Sequence, residues 1–432
     1  MNAIFDPSTQ LFLLSGLAAA LFVLGTPLFL LMGVWVLGAQ LIIDFPLASI
    51  GSGLFEGLNS FALLAAPLFI LTGDLISKGG IARRMTEFSM SLLGWVRGGL
   101  GMSTIATCSM FAAISGSNSA TTATIGSITY PSLRDQGYPS SFAAATSAAG
   151  GVVGIIIPPS ILFIVYGHLT ATPISELFLA GIIPGLLMSL VMLVTVYVVS
   201  RRRGYGQLHP FRVGRVAQTF PGVSIALAAG LIVLGGIYSG AFSPTEAAAV
   251  TVVYCLLAGF LMTRELSLRS LPNVILRSGM IVGIIMPLVA MSLLMQQVFA
   301  VIGFGDWLGE FISSLGGYYT VLFVSMMIVL IAGTLLESVP NTVILAPILA
   351  PVAFKAGVDP FHFAVVFMAG SSIGFITPPF GLNLYVASGI TGIPYLQIAK
   401  AVLPYLWSLL LIWVVIALLP ALSVYLTQFA GR

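Results

Sequence analysis

Ser115-Gly116-Ser117-Asn118-Ser119-Ala120-Thr121-Thr122-Ala123-Thr124 is a polar, glycine-interrupted stretch inside an otherwise apolar region. A counterpart stands at Glu337-Ser338-Val339-Pro340-Asn341-Thr342. Each is followed by a second break carrying a proline pair. Pro158-Pro159 comes 40 residues after Asn118, and Pro378-Pro379 comes 37 after Asn341. In a water-soluble chain the recurrence would carry little weight. In a membrane chain, paired interruptions at corresponding places mark a duplicated core whose broken helices turn backbone dipoles towards a substrate and its coupling ions.

Composition puts the chain in a membrane. It is 58% hydrophobic and 7% charged over 432 residues, with mean hydropathy +1.10, against roughly 25% charged residues in soluble proteins. Leu11 to Leu37 is too long for a signal-peptide core and no basic residue precedes it, so it reads as a retained first helix. The net charge of +3 is spread over helix ends and indicates no nucleic-acid partner. Arg201-Arg202-Arg203, where a span ends, reads as a topology signal. Cys108 and Cys255 lie in apolar runs and read as packing residues. His168, His209 and His362 have no ligand company, so no metal site other than one for an alkali cation is expected. No Gly-Lys-Ser or Gly-Lys-Thr occurs, which removes a P-loop ATPase and leaves ion-driven transport.

Hydropathy predicts spans at 9–38, 53–77, 139–168, 175–200, 218–240, 243–263, 278–300, 360–388 and 395–428. Two further apolar regions, 98–133 and 317–355, are interrupted by the polar stretches. If both are re-entrant hairpins, and residue 1 is inside, 14 of the 16 Lys and Arg fall inside; only Lys355 and Arg432 fall outside. Two true crossings in place of either hairpin would scatter them over both faces. This count puts Met1 inside and Arg432 outside.

The same count predicts an inverted repeat within a single integral membrane domain, 1–432. The first copy is 53–200, with hairpin 98–133 and broken helix 139–168. The second is 278–428, with hairpin 317–355 and broken helix 360–388. Residues 201–277 connect them as scaffold. Ala66-Pro67-Leu68 precedes Asn118 by 51 residues, much as Met286-Pro287-Leu288 precedes Asn341 by 54. Ala82 to Trp95, Asp306 to Leu315 and Glu265 to Arg277 read as amphipathic helices lying along the membrane.

Broken helices survive in hydrocarbon only where protein, water or ligand satisfies the freed backbone groups, which cost several kcal/mol each. Carbonyl ends and hydroxyls suit a hard monovalent cation such as Na⁺, and amide ends suit a carboxylate. The segments Gly154 to Pro159 and Gly374 to Pro379 would face the hairpin tips and complete two neutral oxygen cages, unlike the carboxylate-rich sites of Ca²⁺. Taken singly, each Gly or Ser is better explained by close helix packing; the duplication makes the case. Glu337 could approach a cation or titrate, or it could be a solvated or capping acid. Ser243-Pro244-Thr245-Glu246 reads as a helix start, with Ser243 as N-cap and Glu246 three residues on.

Four strings together carry a resemblance. They are Leu64 to Gly73 followed by Gly79-Gly80-Ile81-Ala82-Arg83-Arg84; Gly116 to Thr121; Phe242 to Val250; and Thr377-Pro378-Pro379-Phe380-Gly381-Leu382-Asn383. In this order they resemble the large membrane subunit, DctM-type, of TRAP (tripartite ATP-independent periplasmic) transporters over almost the whole chain. The resemblance implies an all-α polytopic protein of the bacterial inner membrane, an inverted-repeat elevator-type transporter similar to the ion transporter superfamily, with no enzymatic activity. It implies Na⁺-coupled import of an organic acid (a C4-dicarboxylate, sialic acid or other sugar acid). The implied partners are a periplasmic substrate-binding protein and a small four-helix membrane subunit, a separate chain. No cofactor beyond Na⁺ as coupling ion is implied. Carried over, Ser115, Asn118, Gly154, Ile157 and Pro158 would hold one Na⁺; Asn341, Gly374, Thr377 and Pro378 would hold the other. Ser117, Ser119, Thr121, Thr342 and Asn383 would line the substrate site.

The alternative is a stand-alone ion-coupled carboxylate carrier of the same fold, acting as a homodimer. A channel would need a symmetric selectivity ring, and an intramembrane enzyme would need a nucleophile and base at depth; the sequence shows neither. Neither break contains an Arg or Lys, so an anion's charge is expected to be met by Na⁺ and helix N-termini alone.

Overall fold

The computed structural model of the chain describes residues 6–429, and among them all regular structure is helical. Eight of the helices are long and apolar enough to cross a membrane. Met1 and Arg432, the termini placed by the charge count, lie outside the described residues.

The region expected to cross once as 9–38 forms two helices, α1 (Pro7–Val23) and α2 (Leu28–Ile42). Gly25 at φ +85 and Pro27 end one and start the other. They are antiparallel, since Trp35 Nε1 donates to Ser15 Oγ at 3.1 Å. There follow α3 (Ala48–Leu58), α4 (Ala65–Lys78) and the amphipathic α5 (Ile81–Leu93). The first hairpin is α6 (Gly99–Ser115) and α7 (Asn118–Asp135). The first broken helix is α8 (Ser140–Gly150), a 3₁₀ turn Gly151–Ile155, and α9 (Ile161–Thr170). Three long helices come next: α10 (Ile174–Arg203), α11 (Val213–Tyr238) and α12 (Pro244–Leu257).

The second half repeats the order with α13 (Leu271–Val301), α14 (Phe304–Leu315), the hairpin α15 (Tyr318–Leu335) and α16 (Ser338–Lys355), the broken helix α17 (Pro360–Gly374) and α18 (Leu382–Thr391), and α19 (Tyr395–Leu418). The expected interfacial helix 265–277 is mostly absent, because α13 already begins at Leu271. Glu265 pairs instead with Arg83 and Arg84 of α5, at 3.1 and 3.3 Å. The helix start at Ser243 is as expected: its hydroxyl accepts from Glu246 N, and the Glu246 carboxylate accepts from Ser243 N at 2.8 Å.

The two halves point in opposite directions. Arg277, near the start of α13, meets Asp74 near the end of α4 at 3.7 Å, so these helices are antiparallel. Gly98, before α6, packs on Ser200 near the arginine end of α10. The first hairpin therefore opens at the basic end of the molecule. The second opens at the other end, where α13 finishes. Helix α2 runs parallel to α13, with Trp35 beside Phe299 at 5.2 Å between ring centroids. Ser8 and Leu11 of α1 consequently line one groove with Phe304 and Trp307, at the end opposite the arginines. The added helix puts the start of α1 at the end of the molecule opposite the arginines. No Lys or Arg precedes Lys78, so the charge distribution could not register it.

The broken helices occupy the centre. Residues 142–167 and 362–376 are buried without interruption, and polar side chains tie them to α19. Tyr405 and Thr146 share a hydrogen bond of 2.8 Å, and Trp413 Nε1 donates to Val366 O at 2.8 Å. In an apolar surround such bonds have no water to replace them.

Candidate ion and substrate site

The two hairpin tips, entering from opposite ends, are fastened to neighbouring residues of α17. Asn118 Nδ2 donates to Ser372 Oγ at 2.8 Å, and Asn341 Nδ2 donates to Ser371 Oγ at 2.9 Å. Neither hairpin therefore reaches beyond the level of this serine pair. The first tip turns at Gly116 (φ +58), and Ser117 caps α7 by accepting from Ala120 N at 3.4 Å. At the second tip Leu336 and Glu337 make the turn without a side-chain cap.

Hydrogen-bond logic fixes which way these amides face. Ser372 Oγ donates to Val152 O, so it has only lone pairs left for Asn118. Asn341 Nδ2 also reaches Val329 O at 3.4 Å, and a carbonyl accepts only from the NH₂ side. Both Oδ1 atoms thus point away from the serines. Both are buried with no hydrogen-bond partner, as are Asn383 Oδ1 and Thr122 Oγ1. An unmet buried acceptor costs about 1–3 kcal/mol, and a cation would remove that cost.

Glycines let the broken helices close on the tips. A Cβ at Gly154 would stand 2.8 Å from Asn118 N, and one at Gly374 would stand 2.8 Å from Gly333 Cα. The Pro158-Pro159 and Pro378-Pro379 bonds that follow are both cis. Gly154 and Pro159 O thus flank the first tip, while Ile157 packs its side chain against Gly185 of α10. Beside the second tip, Thr377 is held by its own helix, donating to Ile373 O at 2.8 Å.

Between the tips lies a cavity of about 100 Å³. Ser115, Ser117, Asn118 and Ser119 line it from one hairpin, Glu337 and Ser338 from the other. The first turns of α7 and α16 both face it, bringing two positive helix ends to one space. Three residues expected there are elsewhere. Thr121 is turned into its hairpin, against Ser117 O at 2.7 Å and Ser115 Oγ at 3.0 Å. Thr342 donates to Ser338 O at 2.8 Å within its own helix. Asn383 donates to Ala148 O at 3.1 Å and stands with Thr122 against Gly151, on the first tip's far side.

Sequence reasoning missed Ser371 and Ser372, although two adjacent serines in the otherwise apolar run 363–376 were a visible signal. It also missed Asp74 and Arg277. Both line the cavity from α4 and α13, which corrects the expectation that no arginine attends the site. Their distance in sequence from either break hid them.

A family profile described as Tripartite ATP-independent periplasmic transporter, DctM component, matches residues 14–422. The chain is 37% identical over 384 residues to the C4-dicarboxylate TRAP transporter large permease protein DctM of Pseudomonas aeruginosa, covering 89% of this chain and 90% of that one. It is 35% identical over 429 residues to the isethionate TRAP transporter permease protein DctMQ of Oleidesulfovibrio alaskensis, covering 99% of this chain and 67% of that protein. Its fold is similar to that of the YdaH transporter of Alcanivorax borkumensis, with a TM-score of 0.64 over 88% of this chain and 89% of that one at 14% identity. That last likeness is of fold alone. The family profile and the sequence identity over most of its length show that the chain belongs to the DctM component family of tripartite ATP-independent periplasmic transporters, as a large permease subunit.

Proposed function

We propose that the chain imports an organic acid by Na⁺ coupling, with one cation in each tip cage and the acid in the cavity between them. The two orphaned amide oxygens, Asn118 Oδ1 and Asn341 Oδ1, carry this reading: each is buried and aimed away from its serine at an equivalent tip. Neutral oxygens of this kind suit a monovalent ion. The first cage would add Ser115 and the backbone of Gly154, Ile157 and Pro158; the second would add Gly374, Thr377 and Pro378. Ser117 and Ser119 would hold the acid, with the amide ends of α7 and α16.

An elevator movement is the proposed mechanism. It is supported by the way hairpins, broken helices and α19 are cross-linked through Ser372, Asn383, Thr146 and Val366, while α11 and α12 hold one another through Tyr254 to Ile225 O at 3.0 Å, and α4 and α13 meet the hairpins at Ser77–Thr124 and Ser292–Val343. By the positive-inside rule the basic end is cytoplasmic. The start of α1 then lies on the periplasmic side, replacing the cytoplasmic N-terminus of the crossing count, and the end of α19 is periplasmic too. A small membrane subunit and a periplasmic binding protein complete the proposed system. The relatives are named for a C4-dicarboxylate and for isethionate, so the acid itself is the variable.

The test is uptake of labelled succinate, isethionate or sialic acid into proteoliposomes, with and without an inward Na⁺ gradient, small subunit and binding protein. Uptake that needs all of them supports the tripartite Na⁺-coupled reading. Uptake by this chain alone would point to the stand-alone carrier, and uptake indifferent to Na⁺ would remove the cation cages.

A further inference from the structure

We propose that Arg277 is the residue by which the wall opposite the hairpins takes the acid group of the transported anion, and that Asp74 is its built-in competitor. This rests on the reading that the cavity accepts an organic anion.

The charge inventory makes the case first. The charged residues lining the cavity are Asp74, Arg277 and Glu337. Without Arg277 the described lining would carry no positive side chain. The two helix ends supply roughly half a positive charge each. An anion entering this space therefore depends on the guanidinium to offset Asp74.

Geometry then separates the partners. Asp74 is largely buried, and Ser278 Oγ donates to its Oδ2 at 2.8 Å. Arg277 is 56% exposed, and its Nε stands 3.7 Å from Asp74 Oδ1, beyond a hydrogen bond. Among the described residues no partner meets its two Nη groups. The carboxylate is fixed while the guanidinium is held loosely, with its planar fork open to a second oxyanion. An incoming acid group competes with Asp74 for that fork.

Position gives the contact a direction. The residues belong to α4 and α13, which meet the hairpins elsewhere, at Ser77 and Ser292. A neighbouring cavity lined by Asp74, Lys78, Asn273 and Arg277 adjoins the first towards the basic end. An anion passing between the hairpins and that end passes Arg277. The guanidinium meets it only while the tips stand beside this part of α13, so it acts in this arrangement and not after the hairpin body has moved. The plainer role for such a pair is an exposed ion pair beside a topology-setting arginine, worth about 0–1 kcal/mol. The two roles differ in the sign of the Asp74 effect.

The experiment uses the purified full chain with its small subunit in detergent. Binding of succinate, isethionate and sialic acid is measured by calorimetry at saturating Na⁺, and Na⁺-induced thermal stabilisation reports intact cages. Arg277→Gln should weaken binding about tenfold and leave the Na⁺ response unchanged; Arg277→Lys, keeping charge without the fork, should lose about threefold. Asp74→Asn should tighten binding about twofold or more. Binding by Arg277→Gln and Arg277→Lys within twofold of wild type would overturn the proposal. So would Asp74→Asn weakening binding as Arg277→Gln does, because a purely structural pair fails from either side. A wild type that binds none of the three acids would sink the organic-anion reading itself, a failure distinct from one confined to the variants.

Discussion

The two hairpin tips look equivalent and are not. Each offers an asparagine whose NH₂ is tied to a serine of α17 and whose oxygen is left over. The second tip, however, is fastened within its own half of the chain, by Ser371, Val329 and the Gly333–Gly374 contact. The first tip borrows from the other half: Ser372 holds Asn118, and Asn383 packs beside Thr122. Residues of the second half thus complete the first tip.

The largest expected effect tests what the cages share. Gly154→Ala and Gly374→Ala each force a Cβ into a tip or its helix, and close-packed backbone cannot yield. Na⁺-driven uptake should fall at least about tenfold in both. Normal uptake by either variant would separate that break from the transport path. Next come Asn118→Ala and Asn341→Ala, which remove the orphaned oxygens. Half-saturating Na⁺ should rise on the order of tenfold or more in each, read from the Na⁺ dependence of uptake.

The serines sharpen the asymmetry. Ser372→Ala should reproduce most of the Asn118→Ala effect, about tenfold in half-saturating Na⁺, and Ser371→Ala that of Asn341→Ala. Double variants within each pair should add little to the single ones, and double variants across pairs should add nearly fully. Additivity in the reverse pattern would break the assignment of serines to tips. The smallest effect lies outside both cages. Ser243→Ala deletes the capping box of α12 and should cost about 1 kcal/mol of stability, seen as a lower melting temperature with an unaltered Na⁺ dependence. A changed Na⁺ response there would mean that the cages feel the scaffold.

The parts legible in the sequence were those written locally. Breaks stand out because Ser, Asn and Gly are costly among apolar neighbours, and the Ser243–Glu246 box because its geometry spans one turn. The α1–α2 turn was illegible because the segment holds no basic residue for the orientation rule to act on, and Gly25-Thr26-Pro27 is short enough to pass as a kink. Thr121, Thr342 and Asn383 were given substrate roles by carry-over from the resemblance, but helix phase turns the first two inward and the fold carries the third to the far side of the first tip. Arg277 had been counted among the residues that set orientation. Only the packing of α13 against α4 reveals that it also borders the cavity.

Ser371 and Ser372 are consecutive residues, about 100° apart around one helix and 1.5 Å apart along it. Whatever free energy a cation spends in orienting Asn118 is spent partly on Ser372, in the same rigid turn as the residue that orients Asn341. Linkage is reciprocal: if filling the first cage tightens the second by some factor, filling the second must tighten the first by that same factor. Two ions that never touch would then titrate with a Hill slope above one, and the backbone between two serines would be the whole of the wiring.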